Sequence, residues 1–312
     1  AWGQSTGSSG SEGSALPLYA IRGHVYLDGT QEPLEGFRIY LYERWRELGV
    51  ATSDLNGRFE FGLIRMPPAK VRLLTKPPLV IYEVAPRVID LPKKGGDVEV
   101  LLSAESVFDA TYVRNLAWDG RVFQWDGISP VEGAKVEFRR EGWVLGETRT
   151  DGRGFFKFIY HDLPPGPYRV AVETGNDLLP AASAEMVLGG KDIYHSDSFS
   201  LGRPETGRLY RATVLGQVKA KYIGAWAASG ARVRFAAGPH ILAETTVGEG
   251  GYFQQEKIYV PEGRISVEVE RAAWLLKPAR VLLEVTGSDG RIPVFRVEMK
   301  LIPGRGWLSL IH

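Results

Sequence analysis

Short segments of this chain alternate between apolar and polar residues, and turns containing glycine or proline separate them. Residues 36–41 read Gly-Phe-Arg-Ile-Tyr-Leu, so an apolar side chain stands at every second position. A strand with one buried face and one wetted face requires this alternation. No segment has the period of an amphipathic helix with capping residues, and residues 42–48 would form at most a short helical turn. The pattern therefore predicts an all-β chain of many short strands.

One block of the sequence occurs three times at a fixed interval. Gly57, Gly154 and Gly251 lie in similar glycine-and-aromatic turns, and 154 less 57 and 251 less 154 both give 97 residues. The same step connects further turn glycines, apolar strand positions and prolines: Gly36, Gly133 and Gly230; Phe37, Ala134 and Ala231; Ile39, Val136 and Val233; Leu41, Phe138 and Phe235; Pro67, Pro164 and Pro261. A gapless match at so many positions predicts three copies of one domain in series.

The length of the step and the composition of the ends predict the domain organisation. A repeat of 97 residues suits a sandwich domain with its own core better than a solenoid unit. We expect sandwich domains at residues 18–105, 106–204 and 205–304, a Gly/Ser-rich tail at 1–17 and an apolar tail at 305–312. Within each copy, the turn before the aromatic strand should close a hairpin, because Asp or Asn beside Gly favours positive φ.

The second copy carries motifs that resemble a known domain family. Residues 129–138 read SPVEGAKVEF, residues 148–158 read TRTDGRGFFKF, and residues 163–172 read LPPGPYRVAV. These motifs, in this order, resemble the carboxypeptidase regulatory-like domain family, which is similar in fold to transthyretin. The first copy keeps part of the pattern, and the third lacks the Asp and the Leu-Pro-Pro. The resemblance implies small sandwiches of seven or eight strands and no chemistry. We therefore expect three tandem antiparallel sandwiches of the immunoglobulin-like or transthyretin-like kind.

Composition limits the partners and the compartment. The chain has 38 basic and 37 acidic residues, a balance that gives no reason to expect nucleic acid or an anionic membrane as partner. No apolar run approaches the roughly 20 residues of a membrane helix, so we expect no membrane insertion. Numbering begins at Ala1, as in a mature chain after removal of a signal peptide, which predicts an extracellular or cell-surface protein. The three asparagines, three methionines and absent cysteines are typical of proteins from hot environments.

No motif for catalysis or for a cofactor is found in the sequence. The histidines lack a partner at metal-ligand spacing; they are His24, His161, His195, His240 and His312. The nucleophile elbow, the zinc-protease motif and the phosphate loop are absent. Transthyretin-like enzymes that open hydroxyisourate end in Tyr-Arg-Gly-Ser, whereas this chain ends in Trp-Leu-Ser-Leu-Ile-His. Residues 54–57 match only the first half of a calcium loop, and we interpret them as a turn. We expect no enzyme activity and no cofactor.

The two tails predict a role in self-assembly. A slim Gly/Ser-rich segment can add to the edge of a neighbouring sheet, and an apolar end is costly unless it packs against something. Contact between unlike surfaces propagates into a filament, so we expect a secreted homopolymer joined head-to-tail. The expected assembly contacts are Trp2, Leu16, Leu18, Trp307, Leu308, Leu310 and Ile311.

Two further possibilities come from aromatic and lysine residues. An exposed indole beside a carboxylate can grip a sugar ring, which makes Trp118, Trp125 and Trp143 glycan contacts in the alternative hypothesis. These rings would otherwise cover the ends of a sandwich or a domain junction. Adhesin domains of similar topology crosslink a Lys on the first strand to an Asn or Asp on the last. The first copy has no lysine before Lys70, so Lys135 or Lys219 of the later copies would take part, and asparagine is scarce.

Overall fold

The computed structural model describes residues 16–220, 228–270, 278–286 and 294–301. The chain forms two compact units. Of the described residues, one unit holds 16–116, 160–166 and 188–193, and the other holds 117–159, 167–187 and those from 194 onward. The secondary structure of the described residues is almost wholly β, which confirms the fold class expected from the alternating pattern.

The first sandwich consists of two four-stranded sheets. One sheet has the order β4-β1-β8-β6, from β1 (Leu18–Leu27), β4 (Arg58–Arg65), β6 (Tyr82–Val84) and β8 (Gly96–Ser106). The other has the order β3-β2-β5-β7, from β2 (Arg38–Glu43), β3 (Arg46–Thr52), β5 (Lys70–Lys76) and β7 (Arg87–Asp90). Neighbouring strands are antiparallel except β1 and β8, which pair in parallel.

The second sandwich repeats this order without the short strand β6. Its sheets are β12-β9-β15 and β11-β10-β13-β14. The strands are β9 (Arg114–Gln124), β10 (Lys135–Arg140), β11 (Trp143–Arg149), β12 (Phe155–Leu163), β13 (Gly166–Glu173), β14 (Ala182–Leu188) and β15 (Ile193–Leu201).

The third sandwich has the same seven strands in the same order. Its sheets are β19-β16-β22 and β18-β17-β20-β21. The strands are β16 (Tyr210–Ala220), β17 (Arg232–Ala237), β18 (His240–Thr246), β19 (Tyr252–Val260), β20 (Gly263–Val269), β21 (Ala279–Val285) and β22 (Val294–Leu301). Strands β16 and β22 are again parallel. The seven strands that the copies share have the same order in all three, and the boundaries given above stay a prediction.

The Asp-Gly segments form the turns that their sequence predicts. The Asp54 carboxylate accepts the backbone N–H groups of Asn56 and Arg58, both at 2.8 Å. Gly57 closes this turn with a φ of 71°, in the left-handed region that glycine tolerates best. Asp151 forms the equivalent bonds in the second sandwich. The carboxylate of this motif is therefore occupied by backbone donors, which agrees with a turn rather than a calcium loop.

A glycine covered by an aromatic ring recurs on the first strand of each sandwich. A Cβ at Gly23 would lie 1.9 Å from the carbonyl oxygen of Val100 and 2.7 Å from the Phe59 ring. The equivalent pairs are Gly120 with Phe156 and Gly216 with Phe253. The ring fills the space that a side chain would occupy, so each of these positions accepts glycine alone.

Candidate functional site

A polar junction joins the first and second sandwiches inside the first compact unit. Glu35, in the turn before β2, donates its backbone N–H to Oδ2 of Asp162 at 2.5 Å. Tyr82, in β6, donates its hydroxyl to the backbone oxygen of the same residue. Asp162 lies near the end of β12, so the carboxylate and the carbonyl of one residue bond two elements of the preceding sandwich.

The first junction brings the carboxyl groups of Glu35 and Asp162 close together. Burial raises the pKa of Asp162 to about 6, and the nearby charge of Glu35 adds to that effect. The backbone N–H of Glu35 and the His161 ring lower the pKa, but they do not offset burial. Among the described residues, the Glu35 carboxyl has a buried oxygen, Oε2, without a hydrogen-bond partner. This junction therefore carries an electrostatic cost when both groups are ionised.

The junction between the second and third sandwiches, inside the second unit, uses the same two backbone positions. Glu132 donates its backbone N–H to the hydroxyl of Tyr259 at 2.5 Å. Asn176 donates its side-chain amide to the backbone oxygen of Tyr259 at 2.8 Å. Glu132 lies 97 residues after Glu35, and Tyr259 lies 97 residues after Asp162. The two junctions are therefore repeats of one contact, with a different side chain as the acceptor.

The second junction differs from the first in its charges. The Glu132 carboxylate forms an ion pair with Lys257 at 2.6 Å, and its other oxygen pairs with Arg211. Burial raises the pKa of Tyr259 to about 12, so its hydroxyl stays protonated at neutral pH. Arg211 and Lys257 thus neutralise the Glu132 carboxylate. Its counterpart, Glu35, has no lysine or arginine partner among the described residues.

Further bonds fasten the entry of the third sandwich to the second. The Gln124 side chain accepts the N–H of Leu209 and donates to its carbonyl, both at 2.9 Å. Asp177 exchanges two bonds with the backbone of Ile241. A cavity of about 270 Å³ lies beside the Glu132 turn and Tyr259. The junction is consequently a built interface with paired polar groups rather than a loose linker.

The tryptophans of the glycan hypothesis lie in three different environments. Trp118 is 0% exposed, and its Nε1 donates to Asp197 at 2.8 Å. A buried ring cannot stack on a sugar, so the prediction for Trp118 is wrong; the residue lies in strand β9 and belongs to the core. Trp125 is 38% exposed and donates to the carbonyl of Gly207 at the second junction. Trp143 is 45% exposed at the start of β11. For these two residues glycan binding stays a prediction.

The described residues contain no group of three or more His, Asp or Glu side chains placed to hold a metal ion. His195 bonds Asp197 at 3.0 Å, and His161 bonds Asn115 at 3.0 Å. Lys219 forms an exposed pair with Glu298, and Lys135 pairs with two glutamates, so neither lysine faces an Asn or Asp for crosslinking within the described ranges. In the same part of the chain, no helix is long and apolar enough to cross a membrane.

Two of the expected assembly contacts can be placed in the structure. Leu16 and Leu18 lie at the start of the first sandwich with exposed fractions of 48% and 40%. The other five lie outside the described residues: Trp2, Trp307, Leu308, Leu310 and Ile311. Sequence reasoning missed the junction residues Glu35, Asp162 and Tyr259. The repeat step that relates the two junctions was the signal that could have found them.

The fold and the junctions define a tandem β-sandwich protein with built interfaces between its domains. No family model and no curated protein matches this chain.

Similar solved structures include the TIE protein of Bacillus anthracis, with 12% identity and a TM-score of 0.28 over 92% of this chain and 51% of that one. The chain thus spans about half the length of the TIE protein. A streptococcal ancillary pilin has 12% identity and a TM-score of 0.26 over 92% and 99%. The 5-hydroxyisourate hydrolase of Klebsiella pneumoniae has 23% identity and a TM-score of 0.24 over 28% and 91%. Similarity at these TM-scores does not support a conclusion about function. The assignment of the fold class depends on the strand order described above.

Proposed function

We propose that this protein is a non-catalytic structural subunit of a secreted filament, sheath or surface layer. The observation that carries the proposal is the repeated junction, in which buried backbone and side-chain groups fasten one sandwich to the next. Domains that only share a chain need no such bonds, since inter-domain contacts are by default small and mobile. A chain that fixes its domains in series suits a spacer or a load-bearing element.

Neighbouring copies of the subunit join head-to-tail through the terminal tails. Strand addition needs an open sheet edge, and β15 and β22 each lie at the edge of their sheet. In the first sandwich β6 pairs with the equivalent strand β8, so that edge is partly covered. Apart from Trp2, the residues of the tail at 1–14 are small or polar and would pass along an edge without steric conflict.

Electron microscopy and sedimentation of the purified full-length chain over a wide concentration range test this proposal. We expect linear assemblies whose length grows with concentration. A variant lacking residues 1–14 should assemble poorly, and a variant with the same tail composition in scrambled order serves as its control. A chain that stays monomeric at millimolar concentration would refute the structural role. Normal assembly without the tail would refute strand addition alone.

Glycan binding is the second candidate, since the Trp143 ring remains accessible at a hairpin tip. Trp45, at the tip of the equivalent hairpin in the first sandwich, is 92% exposed. Polysaccharide pull-down with Trp143→Ala tests this alternative, and Trp45→Ala shows whether any exposed indole suffices. Retained binding in both variants would remove these rings from the hypothesis.

A further inference from the structure

Each sandwich presents the same glycine turn at its far end. The turn glycines have φ values of 79°, 78° and 78° at Gly36, Gly133 and Gly230. Each donates its N–H to the carbonyl of a residue across the sheet: Ser53, Thr150 and Val247. In the first two sandwiches the residue before this glycine, Glu35 or Glu132, donates its N–H into the next sandwich. In the third sandwich that residue is Ser229, which is exposed.

In the second and third sandwiches the opposite end receives the turn of the preceding sandwich. In the third sandwich the receiving residues are Arg211 and Tyr259, which lie directly opposite each other on β16 and β19. In the first sandwich the same two places are taken by Leu18 and Arg65, again directly opposite each other, on β1 and β4. The first and third sandwiches therefore each carry an arginine at this end, on opposite strands of the pair, whereas the second sandwich has the Asp162 carboxylate there.

An apolar residue just before the first strand marks the same end. This residue is Leu16 in the first sandwich, Val113 in the second and Leu209 in the third. The strand pairing shows that Leu16 and Leu209 are equivalent positions. Met66 donates its N–H to the carbonyl of the residue after Leu16, and Val260 pairs with the residue after Leu209. Val113 and Leu209 are buried, whereas Leu16 is half-exposed. The first sandwich thus has a receiving end that no preceding sandwich covers among the described residues.

We propose that the receiving end of one copy, formed by Leu16, Leu18 and Arg65, binds the Ser229–Gly230 turn of a second copy. The contact joins the same two ends as the internal junctions, with the side-chain bond reversed, because an arginine side chain only donates. Arg65 donates to the hydroxyl or carbonyl oxygen of Ser229, and the two leucines lose their exposed surface. A second copy is the fitting occupant because this chain carries both ends, and it already joins such ends to each other twice. The inference rests on the proposed self-assembly and adds a second contact surface to the tails.

Charge substitutions in the full-length chain test the contact by sedimentation velocity. Ser229→Arg places a second cation against Arg65 and should lower the association constant at least about tenfold. Adding Arg65→Glu to that variant should restore association to within about threefold, because the pair becomes complementary. Ser229→Glu alone should strengthen association. Near-ultraviolet circular dichroism confirms that each variant is folded.

An apolar substitution supplies an independent measurement. Leu16→Asp should weaken association by at least about tenfold, since a charge enters a surface that becomes buried. Leu55→Asp is the matched control, because Leu55 is exposed in a turn of the first sandwich and should leave association unchanged. If the wild type assembles but Ser229→Arg and Leu16→Asp do not alter the association constant, the inference fails and the proposed function stands. Weakening by Ser229→Arg without rescue by Arg65→Glu also overturns it. A wild type that never assembles overturns both.

Discussion

Replacing Asp162 by Asn should remove a pH-dependent weakness of the first junction. Burial raises the pKa of this carboxyl from 3.8 to about 6. The folded chain therefore holds the proton more tightly than the unfolded chain does. In this window the folded state binds more protons, so stability falls as the pH rises from 3.8 to about 6 and then stays at the lower level. The junction should be strongest in acid.

The size of the effect follows from the shift in pKa. The difference between 6 and 3.8 is 2.2 units, which corresponds to an upper limit of about 3 kcal/mol. Asp162 retains some solvent contact, and screening reduces the expected value to about 1–2 kcal/mol. The Asn side-chain oxygen can still accept the N–H of Glu35. The variant should therefore gain about 1–2 kcal/mol at pH 7 and nothing at pH 3.5.

Urea unfolding between pH 3.5 and 8 measures the global effect, and hydrogen exchange at the Glu35 amide measures the junction itself. Asp151→Asn is a control of opposite sign, because bonds from the backbone N–H groups of Phe155 and Arg153 lower the pKa of Asp151. The contribution of Asp151 is present above its unfolded pKa and lost as the pH falls. Superimposable pH profiles for the wild type and Asp162→Asn would refute the reasoning, as would a loss of stability in the variant at pH 7.

Three further substitutions test the packing and the second junction. Gly120→Ala should cost about 2–3 kcal/mol in urea unfolding, because its Cβ would lie 2.4 Å from the Asp197 carbonyl; full stability would contradict the close approach. Glu132→Gln and Lys257→Met, combined in a double-mutant cycle, should give a coupling of about 1 kcal/mol that 1 M salt reduces, and additivity would contradict the pair. Trp118→Phe should lower stability by about 1–3 kcal/mol in thermal unfolding without affecting binding to any polysaccharide, and lost binding would contradict its core position.

The sequence was sufficient for the strands and turns because their causes are local. Alternation along β2 and the Asp54 turn depend on residues within a few positions of each other, and both are as expected. The parallel pairing of β1 with β8 was not predicted, since no turn chemistry connects strands so far apart. Trp118 was misplaced because the adjacent Asp119 suggested a polar turn. Alternation with Leu116 and Val122 places its ring in the core, at the position that Ile21 has in the first sandwich.

The junction residues escaped prediction for a different reason. In both junctions the donor is a backbone N–H, which any residue other than proline supplies, so the position needs no particular side chain. The acceptor changes from the carboxylate of Asp162 to the hydroxyl of Tyr259 without loss of the bond. A contact made in this way keeps its geometry while its residue types vary. In a tandem chain the repeat step of 97 residues therefore locates such a junction better than any motif does. Counted on from Glu132, the same step leads to Ser229, which is exposed.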